Sequence, residues 1–137
     1  MPLIPVINPH GWTVSATQGG HYAVPIQAMS PGDRVGISGL ATCIGVICHS
    51  GQGPNGMILA VHFGSQENPS VTLDRYRALF HNNSQVYVVH STQADAGLLN
   101  DVVNHLSNAF NVRAMVMAWS NVYIDENMQM SISTNIP

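Results

Sequence analysis

The chain has 137 residues, 45% of them apolar, which is enough for one domain with its own core and excludes a disordered tail. Only 8% are charged, and four Lys and Arg against seven Asp and Glu leave a net charge of −3. So few cations exclude nucleic acid and anionic membranes as expected partners.

Residues 1–33 are rich in Pro and Gly and read as an irregular, strand-bearing segment, with short strands expected at 11–16 and 21–28. "MPLIPVINPHGW" lacks the cationic start and unbroken apolar stretch of a signal peptide, and no apolar run reaches the roughly 18 residues of a membrane span. The expected location is the cytoplasm, or a host cytosol reached as an effector. "MSPGDR" marks a turn, and "VGISGLATCIGVICHS" (35–50) then reads as one long or bent strand. Glycines 36, 39 and 45 permit bulges or close approach in it. "GQGPNG" (51–56) turns the chain into a return strand at 57–64.

A helix is expected over 70–82, with Ser70 as its N-cap, followed by a strand at 85–91. The clearest helix lies in 91–110, where Leu98, Leu99, Val102, Val103, Leu106 and Phe110 form an apolar stripe. Thr92 and Asp95 have the spacing of a capping box at its start. "VRAMVMAW" (112–119) and "VYIDENMQMSIS" (122–133) read as two closing strands joined at Ser120 and Asn121. This order predicts one α+β (mixed α/β) domain over 1–137, with largely antiparallel sheets packed against two helices.

The segment 38–65 holds both cysteines. Cys43 and Cys48 are five residues apart in an extended run, so they point to opposite faces and are read as free thiols. If Ser50 pairs with Asn55 across the turn, Cys43 falls directly opposite His62, with Cβ atoms about 4.5–5.5 Å apart. A thiol and an imidazole then meet. From spacing alone, a cysteine in a Val- and Ile-rich strand is a core residue, and so is Cys48. His10, His21, His49, His81, His90 and His105 show no metal-ligand spacing, so no metal or other cofactor is expected. Met115, Met117, Met128 and Met130 alternate as core or interface residues do. Trp12 and Trp119 fit either core or rim.

"GLATCIGV" (39–46) resembles the cysteine strand of CheD-type chemoreceptor glutamine deamidases. "NGMILAVHFG" (55–64) is similar to their strand ending in the catalytic histidine, "AGLLNDVVNHL" to a later helix and "FNVRAMVM" to the strand after it. The cytotoxic necrotizing factor toxins share this Cys-His arrangement on a similar sandwich, and the resemblance runs through 34–133. It implies Cys43 as nucleophile and His62 as base. Where that family has a threonine six residues before the cysteine, this chain has Ile37, with Ser38 one position later. A bulge at Gly39 makes Ser38 a candidate third member, and Gln93 is a weaker one.

The implied reaction is deamidation of a glutamine side chain on a protein substrate. Cys43 thiolate, its pKa lowered by a neighbouring imidazolium, attacks the carboxamide. His62 protonates departing ammonia and then activates water to hydrolyse the thioester. The backbone N–H groups of Thr42 and Cys43 are the expected oxyanion donors. The alternatives are transglutamination or another Cys-His thiol hydrolysis, and a non-catalytic protein-binding module in which the hairpin is only core.

Overall fold

The computed structural model describes residues 13–17, 19–51, 53–64 and 67–133. His10, Trp12 and the first two residues of the strand expected at 11–16 lie outside them. The elements in chain order are β1 (Thr13–Ala16), β2 (His21–Pro25), β3 (Arg34–Ile37), β4 (Ile44–His49), β5 (Met57–Phe63), α1 (Pro69–Arg75), β6 (Gln85–His90), α2 (Ala96–Asn108), β7 (Ala114–Ala118), β8 (Asn121–Ile124) and β9 (Met130–Ser133). The fold is mixed α+β, as their order predicts.

Two sheets form, ordered β1-β3-β8-β9 and β2-β5-β4-β6-β7. Among the described residues only β1–β3 and β6–β7 pair in parallel. The larger sheet is the middle layer. Ile44, Val46 and Cys48 of β4 and Leu59, Val61 and Phe63 of β5 face Leu73 of α1 and Leu98, Val102 and Leu106 of α2. The alternate residues Ile47, Ile58 and Ala60 face Ala16, Val35, Ile37 and Val122 of the smaller sheet. Period-two alternation thus feeds two cores, which is why β4 is buried along its whole length.

The run 35–50 is therefore not one strand. It leaves the smaller sheet at Ile37 and enters the larger at Ile44. Gly39 makes the corner with φ at +71°, where a side chain would be strained. Its N–H donates to Asn121 Oδ1, and that of Leu40 donates to the Ser120 carbonyl. The same crossing revises the C-terminal end. β7 and β8 belong to different sheets, and the hairpin is β8–β9, closed by a turn in which Asp125 Oδ1 accepts from Asn127 and Gln129.

Both helix starts differ from expectation by local chemistry. Asn68, not Ser70, caps α1, because Pro69 is preset for the first helical position and Asn68 accepts from the Ser70 N–H. Asp95 is itself the N-cap of α2 and accepts from Leu98, whereas Gln93 N–H is drawn into a turn by Ser91 Oγ. The helix expected over 70–82 stops after Arg75 and continues only as the 3-10 turn Arg77–Leu79.

β3 leaves no room for a side chain at Gly36. A Cβ there would lie 2.0 Å from the Val122 carbonyl oxygen and 2.6 Å from Tyr123 Cα. Backbone cannot yield as side chains do, so Gly36→Ala is expected to lose roughly 3 kcal/mol or more of stability in chemical denaturation. Gly45→Ala, whose Cβ meets the flexible Cδ1 tip of Ile37, should lose less.

Candidate active site

One end of the sandwich gathers the ends of β1, β3 and β5 and the start of β4. Cys43 precedes β4 by one residue, and His62 is next to last in β5. The residue opposite His62 is Gly45, not Cys43. The expected register is off by two, because Ser50 pairs with Met57. Its N–H donates to the Met57 carbonyl at 2.9 Å, and its Oγ accepts the Met57 N–H at 2.8 Å. Asn55 consequently stays in the loop, which Gly51 and Gly53 shape at positive φ.

A shift of two preserves the face, whereas a shift of one would have reversed it. Cys43 packs in the inter-sheet core, and His62 lies on that same face of β5. The two are diagonal neighbours, whose Cα atoms lie roughly 7–8 Å apart in such a ladder. Cys43 is 7% exposed and His62 2%.

His62 Nδ1 lies 3.2 Å from the Ala16 carbonyl. A carbonyl only accepts, so Nδ1 carries the proton and Nε2 keeps its lone pair. Among the described residues nothing bonds to Nε2, although it is buried. Burial pushes the His62 pKa below its ordinary 6.5, against the opposing pull of the Ala16 and Ser38 carbonyls and the Glu67 carboxylate. The ring is held neutral.

Burial likewise pushes the Cys43 thiol up from 9.0, with a hydrogen bond from Thr42 acting the other way and Glu67 adding to the rise. Both directions disfavour the expected thiolate–imidazolium pair in the free protein. Two effects oppose the pair: desolvation disfavours both charges, and no hydrogen bond joins the thiol to Nε2.

Ser38 has a different part from the one expected. Its Oγ hydrogen-bonds Ser15 Oγ at 2.6 Å and its N–H donates to the Ala16 carbonyl, so it acts on His62 through its backbone carbonyl, beside that of Ala16, and not through its hydroxyl. The turn carrying Thr42 and Cys43 is pinned by its carbonyls. Ser91 Oγ donates to Ala41 O, and Asp95 N–H to Thr42 O at 3.1 Å. Each trans peptide points its N–H opposite its carbonyl. The Thr42 and Cys43 N–H groups consequently face away from Ser91 and Asp95, in fixed directions. Gln93 is exposed in the turn before α2.

Glu67 is the residue that sequence reasoning missed. Its Oε1 accepts from Gly64, the position the register places across from Cys43, and its charge is felt by Cys43, His62 and His21. Elsewhere, Cys48 is fully buried on the helix side, donates to the Leu79 carbonyl, and has its pKa pushed up to about 12 by burial. His49 bonds Gly51 and Glu126 and is a satisfied core histidine. Among the described residues no three His, Cys, Asp or Glu converge as a metal ion requires.

The lowered His62 pKa has a sign for stability. Below 6.5 the unfolded chain takes up a proton that the folded chain resists, so stability is full above that pH and is lost as pH falls through the folded value. Denaturation midpoints should drop between pH 6.5 and the acid side in wild type and drop less in His62→Gln. His21, also lowered by burial, contributes in the same direction and remains in both proteins.

Fold and site define a mixed α+β sandwich with a buried cysteine and a buried histidine on its inter-sheet face. No family model and no curated protein matches the chain.

Proposed function

We propose that the protein is a cysteine-dependent protein-glutamine deamidase, an intracellular enzyme or effector of the CheD and necrotizing-factor kind. The observation that carries this reading is the buried Nε2 of His62, without a hydrogen-bond partner among the described residues, on the same sheet face as Cys43. An orphaned buried acceptor costs about 1–3 kcal/mol, a cost that a structural histidine such as His49 avoids.

In the reaction Nε2 receives the Cys43 proton as Sγ bonds to the carboxamide carbon of the substrate glutamine, directly after a side-chain rotation or through one water. The imidazolium then delivers the proton to the departing amide nitrogen, and ammonia leaves a thioester. Water, deprotonated by the same nitrogen, hydrolyses the thioester to glutamate and frees the thiol. The Ala16 carbonyl stabilises the transient imidazolium, and Glu67 favours that charge further. The Thr42 and Cys43 N–H groups supply the oxyanion donors.

The test is mass spectrometry of a cell lysate incubated with the protein. Conversion of a glutamine adds about one dalton and releases ammonia. Target peptides should convert with wild type and not with Cys43→Ser; equal conversion by both removes the reading. The second reading, a binding module with both side chains in the core, is favoured by their low exposure and by the absence of a hydrogen bond between them.

A further inference from the structure

β7 reads Ala-Met-Val-Met-Ala and is the outermost strand of the larger sheet, bonded among the described residues to β6 alone. Met115 is 60% exposed and Val116 46%, on opposite faces, so both faces are open at mid-strand, although Ala114 packs partly on the helix side and Met117 partly between the sheets. Exposed edges are ordinarily blunted by charge, proline or a bulge. β2, the other edge of the same sheet, ends in Pro25. β7 carries no charge and no proline.

The direction of its free peptide groups follows from the ladder. The Ser50 N–H donates to the Met57 carbonyl, and His62, across from Gly45, bonds Gly19 and Gly20 instead of β4, so alternation sends the peptide groups of Ile44, Val46 and Cys48 toward β5 and those of Gly45, Ile47 and His49 toward β6. Their β6 partners Val89, Tyr87 and Gln85 face back, which leaves Val86, Val88 and His90 to face β7. In the parallel ladder these residues bracket Met115 and Met117. The N–H and C=O of Ala114, Val116 and Ala118 therefore point outward.

We propose that the protein forms a reversible two-fold dimer by antiparallel pairing of β7 with β7 of a second copy, centred on Val116. The strand is a palindrome about that residue. A two-fold axis there sets Val116 against Val116 and Ala114 against Ala118 of the second copy, so every outward donor meets an outward acceptor. On the opposite face Met115 meets Met117 of the second copy in the non-hydrogen-bonded positions, where side chains approach closest.

One residue further in the same register, the exposed Arg113 comes opposite Trp119 of the second copy, a cation over an indole. A slip of one residue would set each outward residue against one whose peptide groups face β6. An unrelated partner would need its own match to this edge, whereas a second copy already carries it, and the contact closes on itself. So short an edge buries less than the roughly 1,200 Å² of stable interfaces, which makes the association concentration-dependent.

Sedimentation equilibrium of the full chain should show the average mass rising with concentration from monomer toward dimer. Val116→Pro removes the N–H at the two-fold axis, and Met115→Lys places a charge on the seam. Both should stay monomeric, and Met115→Lys should keep its thermal unfolding midpoint. On oxidation, the double variant Met115→Cys/Met117→Cys should give a covalent dimer, whereas Met115→Cys alone and the wild type, with Cys43 and Cys48 buried, should not. A monomer at all concentrations overturns the proposal. So does a dimer that Met115→Lys leaves intact, or equal cross-linking by the single and double variants.

Discussion

Cys43→Ser is expected to lower glutamine conversion by at least about three orders of magnitude, because a hydroxyl in the same place is a far poorer nucleophile than sulfur. The fold should remain cooperative, since the replacement is nearly isosteric and Cys43 sits at a rim where Thr42 is exposed. Cys48→Ser is the control. That thiol lies within β4 on its helix face, and a serine hydroxyl can keep its bond to the Leu79 carbonyl. Activity should survive, with a stability loss on the order of 1 kcal/mol for burying a more polar group. Alkylation separates the two thiols again. Cys43 should react slowly at neutral pH and faster above pH 9, in keeping with its raised pKa. Cys48, pushed up to about 12, should react only on unfolding. Equal activity losses in both serine variants would remove Cys43 from the mechanism.

The apolar alternation of 44–49 and 57–63 made the central pair of strands legible, because burial on two faces demands it. The face shared by Cys43 and His62 was legible for the same reason. Their register was not. It depends on how many residues the glycine-rich loop absorbs, and Gly51 and Gly53 permit more than one answer. The break at Ser38 was also hidden, since a strand changing sheets keeps its alternation and is betrayed only by Gly39 and its partners Ser120 and Asn121, some eighty positions away. Ala16 had no signal at all. It acts through a backbone carbonyl, which every residue type carries. Glu67 reaches the site by bending back to Gly64, a loop geometry that no spacing in "SQENPS" announces.

His62→Gln should lower turnover by about two to four orders of magnitude, the usual range for loss of a general acid–base. The amide of glutamine can still donate to the Ala16 carbonyl, so the fold is retained while the titratable lone pair is gone. The pH profile carries the stronger inference. In wild type the base must be neutral, and its pKa lies below 6.5, so the rate should rise through that acid limb and then level off. The plateau should extend toward pH 9, because the thiol stays protonated until then and gives up its proton only during attack. In His62→Gln the acid limb should vanish, and the residual rate should climb with pH as thiolate forms unaided. In the free protein, however, the Cys43 alkylation curves of the two proteins should nearly superimpose, since a neutral, diagonal imidazole exerts little pull on the thiol. An acid limb that persists in His62→Gln would assign the base elsewhere, with His21 the next histidine to replace. Undiminished turnover would mean that the orphaned nitrogen of His62 has no part in the chemistry.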